Sequence, residues 1–269
     1  SQSARTYSEY FADQVVNRST GAESTVIEIA SNDGTFLKQF IDRNFKVVGV
    51  DPARNIAQKA IENGIPTVID FFSDELAKEI LKELPPEPKI VIARNVIPHV
   101  PDSASVIKGM KRLIAENGIG VIEFHDTGLV LNELQYDYIY HEHVFYYTLN
   151  TMKGVLEMHD LEIFDVFRSP ISGGSHVVLF ASKGLGRAIA PKVQEVMEQE
   201  RETGLLSYER WQTFSEECRE HRNKTKKLIQ SFNGKVVGYG ASARSSTLLN
   251  FCQFSEEDIK FIIDKNPLK

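Results

Sequence analysis

Between residues 25 and 124, five short apolar runs alternate with segments of helical period, and this alternation restricts the fold more than any other feature of the chain. The runs are T-V-I-E-I-A (residues 25–30), K-V-V-G-V (46–50), and residues 66–69, 89–93 and 119–124. Phe36, Leu37, Phe40 and Ile41 follow the first at helical spacing, and Ile56, Ala60 and Ile61 follow the second. Leu76, Ile80, Leu81 and Leu84 follow the third behind Ser73, a helix cap, and residues 106–114 follow the fourth. Such a chain predicts an α/β fold, with a parallel sheet covered by helices on both faces. Ligands of such sheets bind beyond the carboxyl ends of the strands. Asn32, Asp51, Asp70 and Asn95 stand at those ends, and residues 136–147 come after the fifth strand.

The rest of the chain frames this sheet. Residues 1–22 read as an N-terminal helical segment, with Tyr7, Tyr10, Phe11 and Val15 at helical spacing. A helix at 151–159 precedes two strands, 162–167 and 176–181, expected to form an antiparallel edge. Gly184 and Gly186 mark a boundary, which sets a main segment at 23–185 and a last one at 186–269. The last begins with two helices over 190–231 and ends in a strand (235–240), a helix (243–251) and a strand (259–264). One β-α-β unit cannot cover both faces of its own sheet. The second lobe is therefore expected to be only partly represented, or the chain to continue beyond Lys269.

Composition narrows the classes of function. The net charge is -6 and no Lys/Arg cluster stands out, so neither a nucleic acid nor a membrane surface is expected as a partner. No apolar run is long enough to span a bilayer. Cys218 and Cys252 are isolated from each other in sequence, which fits reduced thiols in the cytoplasm. Oligomeric state is not legible, with a monomer favoured.

Residues 136–147 read Y-D-Y-I-Y-H-E-H-V-F-Y-Y. Tyr140, His141, Glu142 and His143 crowd together groups that titrate or donate hydrogen bonds near neutral pH, as an active site does. The alternative is an aromatic helix with solvated histidines. The His-Glu-His spacing is not that of a helical zinc pair, so no metal is expected.

The turn after the first strand, E-I-A-S-N-D-G (residues 28–34), has one glycine where a dinucleotide turn has three. It resembles the first motif of class I methyltransferases that use S-adenosylmethionine. That motif has an acid, small residues two and four positions on, and glycine six on, which matches Glu28, Ala30, Asn32 and Gly34. Asp51 ends the second strand, where a carboxylate serves the ribose of either cofactor, so NAD remains a competitor at this point. The methyltransferase resemblance implies that Asp51 and Pro52 meet the ribose and that Asp70 and Phe71 meet the adenine. Ser31 and Asn95 complete the implied cofactor site.

E-I-A-S-N-D-G, N-V-I-P-H-V, Y-H-E-H and G-Y-G-A-S-A-R-S-S-T-L-L-N-F occur here in the order seen in deoxysugar C-methyltransferases, and the similarity runs from about Ser24 to the end. The resemblance implies a Rossmann-like methyltransferase domain over 23–185 and a second, partly represented α/β lobe over 186–269. It implies S-adenosylmethionine as cofactor, S-adenosylhomocysteine as product, and a nucleotide-linked keto-sugar methylated at a ring carbon through an enolate. By resemblance His143 is the base. Tyr140 is a donor to the enolate oxygen, Glu142 an orienting group and His99 a second group for the oxyanion. His141 would lie on the substrate side, and Tyr239, Ser242 and Arg244 would grip the diphosphate. The family's N-terminal zinc-binding domain, built on cysteines, has no counterpart in these residues, and Arg244 stands where the family often has Lys. A sugar-nucleotide binder without catalysis, or a methyltransferase for another small ketone, are the alternatives.

Overall fold

The computed structural model describes residues 4–21, 24–115, 117–171 and 173–266 in full, and the backbone of residues 2 and 3. The expected boundary at 22 and 23, Ser172 in the loop between the two late strands, and the chain end at Lys269 lie outside the described residues. The helix α1 (Gln2–Val16) leads into β1 (Thr25–Ile29), α2 (Thr35–Ile41), β2 (Lys46–Val50), α3 (Arg54–Glu62), β3 (Thr67–Val68), α4 (Asp74–Glu83), β4 (Lys89–Arg94), α5 (Ser103–Ile114) and β5 (Ile119–His125). Then come α6 (Thr127–Asn132), α7 (Leu149–Glu157), β6 (Leu161–Ser169), β7 (Ser175–Ser182), α8 (Pro191–Glu202), α9 (Tyr208–Gln230), β8 (Gly238–Tyr239), α10 (Ala243–Cys252) and β9 (Ile262–Ile263). Among the described residues no helix is long and apolar enough to cross a membrane.

The large sheet has the order β3-β2-β1-β4-β5-β7-β6. The first five strands are parallel, and β7 runs antiparallel to both β5 and β6, as the alternation predicted. Parallel strands are buried on both faces, and β1 and β5 up to Phe124 are buried at every position. One face packs Ile27, Val91, Ile122 and Phe124 against α4, α5 and α7. The other packs Val26, Ile90 and Val121 against Phe11 of α1 and Leu37 and Phe40 of α2. Local chemistry sets the helix starts. The Ser73 hydroxyl accepts from Leu76 N at the head of α4, and Asp102 accepts from Ser105 N at the head of α5. Just past β5, Asp126 accepts from Arg168 of β6 at 2.9 Å and lies 3.3 Å from Nε2 of His176 in β7, which ties the antiparallel edge to the parallel sheet.

The chain forms two compact units, Ser1–Asp126 with Phe145–Glu198, and Thr127–Val144 with Gln199–Lys269. These limits differ from a break at 185. Val193, Val196 and Met197 of α8 join the core beneath the sheet, so the first unit extends past the glycines. Tyr136 and Tyr138 bury their rings among Val130, Leu131, Leu205, Phe214 and Cys218, so most of the tyrosine-rich stretch belongs to the second unit. In that unit β8 and β9 pair in parallel over two residues each, less than the six expected. Their flanks stay open, with Val237, Phe261 and Ile263 exposed.

Two glycines set opposite expectations for stability. A Cβ on Gly120 would lie 2.1 Å from the ring of Phe180, its partner across β5 and β7. Gly120→Ala is expected to cost about 1–3 kcal/mol in denaturant unfolding through overpacking. Gly154, inside α7, has open space around its Cα, so Gly154→Ala should add roughly 0.5–1 kcal/mol by the same measurement.

Candidate active site

The turn after β1 explains why its small residues fall on alternate positions. Ala30, Asn32 and Gly34 all have left-handed backbones, with φ of 53°, 56° and 77°. Glycine takes that conformation without cost and asparagine tolerates it, whereas alanine is strained there. Asp51 holds the turn in place. Its Oδ2 accepts from Asn32 N and its Oδ1 from Ala53 N, both at 2.9 Å. A carboxylate has about four acceptor positions, so both oxygens retain capacity for a further donor. Gly49 lets Ser31 approach β2, since a Cβ at 49 would stand 2.4 Å from the Ser31 hydroxyl. That hydroxyl is buried and has no hydrogen-bond partner among the described residues. Asp70 accepts from Phe71 N, and the Phe71 ring is 77% exposed at the sheet's carboxyl edge. Pro52 and Asn95 are exposed there as well.

Beside this turn lies a cleft of about 560 Å³ reached by Arg5, Ser31, Asn32, Thr35, Lys38 and Arg94. Arg94 sits at the head of a buried network. Its Nε donates to Glu28 Oε1 at 2.8 Å, its Nη1 is 3.8 Å from Glu123 Oε2, and its guanidinium lies over the Phe36 ring. Tyr7 of α1 donates to Glu123 Oε1 at 3.0 Å. Glu28 is therefore engaged within the sheet. Burial raises both carboxyls above the ordinary glutamate range, against the pull of Arg94. The Tyr7 hydroxyl is likewise pushed up, by burial first and then by the charge of Glu123.

In the second unit the tyrosine-rich stretch is a turn, and not the aromatic helix of the alternative reading. Residues 136–138 make one tight helical turn, and His143 N then donates to Tyr140 O at 3.0 Å. The two rings still meet, with centroids 4.3 Å apart. His143 Nδ1 lies 2.7 Å from the carbonyl oxygen of Tyr138. A carbonyl only accepts, so Nδ1 carries the hydrogen and Nε2 is the basic nitrogen of the neutral ring. Burial raises the Tyr140 hydroxyl, which keeps it a donor at neutral pH. Arg244 Nε donates to Asp137 Oδ2 at 2.7 Å, and its guanidinium lies 4.1 Å from the Tyr138 ring centroid. His141 and Glu142 are exposed, and Tyr239 is 79% exposed. Ser242 spends its hydroxyl on the start of α10, in a reciprocal cap with Ser245. His99 closes a short turn after β4 in the first unit.

Two family descriptions cover nearly the whole sequence, a methyltransferase domain over residues 4–166 and a C-methyltransferase C-terminal domain over residues 170–269. The chain belongs to the methyltransferase family. It is similar to the C-methyltransferase NovU of Streptomyces niveus, with 32% identity over 247 residues, covering 91% of this chain. The chain spans 59% of the length of that relative. Among solved structures it is similar in fold to the PH0226 protein of Pyrococcus horikoshii OT3, with a TM-score of 0.54 and 18% identity, over 68% of this chain and 92% of that one.

S-adenosylmethionine is the cofactor that this methyltransferase turn fits. The left-handed backbone at 30, 32 and 34, the spare acceptors of Asp51 and the exposed ring of Phe71 lie along one edge of the first unit. The structure brings together Ser31, Asn32 and Gly34 with Asp51, and it brings together Tyr140 and His143 with Arg244 through Tyr138. It does not bring Ser242 or Tyr239 into that second cluster among the described contacts. Sequence reasoning missed Arg94, Glu123, Asp137 and Tyr138. Arg94 and Glu123 had a signal, since charged residues inside buried strands need partners. Asp137 had none, its partner being 107 residues away.

Asp51→Asn keeps the shape but removes the charge and one acceptor. Its affinity for S-adenosylhomocysteine should fall about tenfold or more by calorimetry, and unchanged affinity would remove Asp51 from the site. The raised carboxyls of Glu28 and Glu123 bind protons more tightly in the folded chain. Their stabilisation is complete below about pH 4.3, the ordinary glutamate value, and is lost as pH rises through their folded values. Glu123→Gln should flatten the decline in denaturant midpoint as pH rises above the ordinary glutamate value of about 4.3.

Proposed function

We propose that this chain methylates a carbon next to a ketone on a nucleotide-linked deoxysugar. The observation that carries the reading is the Tyr140–His143 pair, in which a backbone carbonyl leaves Nε2 as the basic nitrogen beside a protonated phenol. The match to a C-methyltransferase C-terminal domain and the identity to NovU support methyl transfer to carbon.

Carbon is a poor nucleophile until a neighbouring ketone lets it lose a proton. His143 Nε2 takes the α-proton, and the C–H electron pair passes into the enolate. Tyr140 donates a hydrogen bond to the oxygen on which charge develops. Bound S-adenosylmethionine supplies an electrophilic methyl group on sulfur. Its methyl group would pass to the enolate carbon, with the bonding pair of the broken C–S bond left on the sulfur of S-adenosylhomocysteine. Asp51 would receive the ribose hydroxyls, Phe71 would stack on the adenine, and Ser31 and Asn32 would line the methionine end. The nucleotide diphosphate is assigned to the turn that opens α10, with Arg244 and Ser242 at its start.

The test separates proton removal from methyl transfer. The protein is saturated with S-adenosylhomocysteine, so that no methyl can move, and a thymidine-diphosphate-linked keto-deoxysugar is added in heavy water. Deuterium is expected to enter the sugar at the α-carbon. His143→Asn should lower exchange by about 10²–10⁴ while His141→Asn leaves it nearly unchanged. Near-normal exchange in His143→Asn would remove it as the base. Absence of both exchange and methylation in the unaltered protein would leave a binder without catalysis.

A further inference from the structure

We propose that Asp137 is a positioning residue for His143, acting through Arg244 and Tyr138. The proposal rests on the reading of His143 as the base and adds the device that keeps its basic nitrogen in place. Every contact lies within the second unit.

The chain of contacts begins at the imidazole. Its Nδ1 donates to the Tyr138 carbonyl at 2.7 Å, and its ring lies parallel to the Tyr138 ring, with 9° between planes and centroids 5.8 Å apart. Tyr138 thus meets His143 twice, through its backbone oxygen and through its ring. The Arg244 guanidinium lies over that same ring, 4.1 Å from its centroid, and Asp137 Oδ2 fixes the guanidinium at 2.7 Å. Asp137 and Tyr138 are consecutive in one tight turn. The contacts therefore close into a ring, running from the Asp137 carboxylate to Arg244, to the Tyr138 ring, and back along one peptide link.

That closure has a chemical consequence. A free histidine in water favours the tautomer with hydrogen on Nε2, which cannot take a proton there. The Tyr138 carbonyl selects the opposite tautomer, but only while the turn holds it in front of Nδ1. The Tyr138 ring is packed from below by its apolar cluster and capped by the guanidinium. Arginine suits the cap because its plane can stack on an aromatic ring and fork toward a carboxylate at once, which an ammonium cannot do. The same bond shows why Arg244 is more than a phosphate ligand, since its Nε is committed to Asp137.

The experiment reads the tautomer directly. The full chain is labelled with ¹⁵N-histidine, and the ring nitrogens of His143 are assigned by their loss in His143→Asn. In the unaltered protein the neutral ring should carry its hydrogen on Nδ1 and not on Nε2. Asp137→Asn and Arg244→Lys should each give a mixture of tautomers, and deuterium exchange into the thymidine-diphosphate-linked keto-deoxysugar should fall about tenfold at saturation, with the half-saturating concentration little changed in Asp137→Asn. Asp137→Glu should restore part of both. Unaltered tautomers in the folded Asp137→Asn or Arg244→Lys protein would overturn the proposal. So would a loss confined to half-saturation, which would make Arg244 a phosphate ligand alone. If one variant does not fold, the other reads the same ring of contacts. The tautomer is measured without substrate, so a keto-sugar that fails to exchange in the unaltered protein would count against the proposed function and leave this result standing.

Discussion

A single guanidinium ties the carboxyl edge of the sheet in the first unit together. Arg94 ends β4 between β1 and β5, meets Glu28 of one and Glu123 of the other, and through Glu123 reaches Tyr7 of α1. Without it, two carboxylates would be buried on one face with no cation, which costs several kcal/mol per charge. The same side chain lies over Phe36 at the start of α2 and lines the cleft beside the cofactor turn. The helices that frame that cleft and the strands that carry it are therefore held by one set of charges.

Most of the sheet was legible in the sequence because parallel strands buried on both faces leave dense apolar runs, and β1, β2, β4 and β5 fall within a residue of those runs. The antiparallel edge was legible too, since two runs joined by a short glycine-bearing loop pair most simply as a hairpin. What the runs could not indicate was which distant side chains complete each core. The second unit takes residues 127–144 from the middle of the chain because Tyr136 and Tyr138, with Val130 and Leu131, share one core with Leu205, Phe214 and Cys218. The strand β8 shrank to two residues for a related reason, because a two-stranded parallel pair has little to pack against.

The candidate site divides in the same way. Asn32 and Asp51 could be placed at strand ends from the alternation, and Gly34 by the motif resemblance, since a tight turn and the adjacent strand end are near one another in any such sheet. The alternation at Ala30, Asn32 and Gly34 acquires its reason only from the backbone angles. The Tyr140–His143 contact arises from a turn, and the aromatic helix that was the alternative reading of this stretch does not form. Glu28 matched a motif position but is occupied by Arg94 within the sheet, and Arg244 is held by Asp137, a pairing no local pattern encodes.

The path of the chain between the two units has a consequence for how such a protein can be divided. The polypeptide leaves the first unit after Asp126, returns at Phe145 and leaves again after Glu198. Neither unit is a continuous stretch of sequence, so no single cut yields both intact. A fragment ending at the glycines near 185 would carry every strand of the large sheet, and yet its tyrosine-rich segment would lack Leu205, Phe214 and Cys218 to fold against. The groups assigned to proton transfer are thus inherited only together with the last third of the chain, although they are encoded before its middle is far behind.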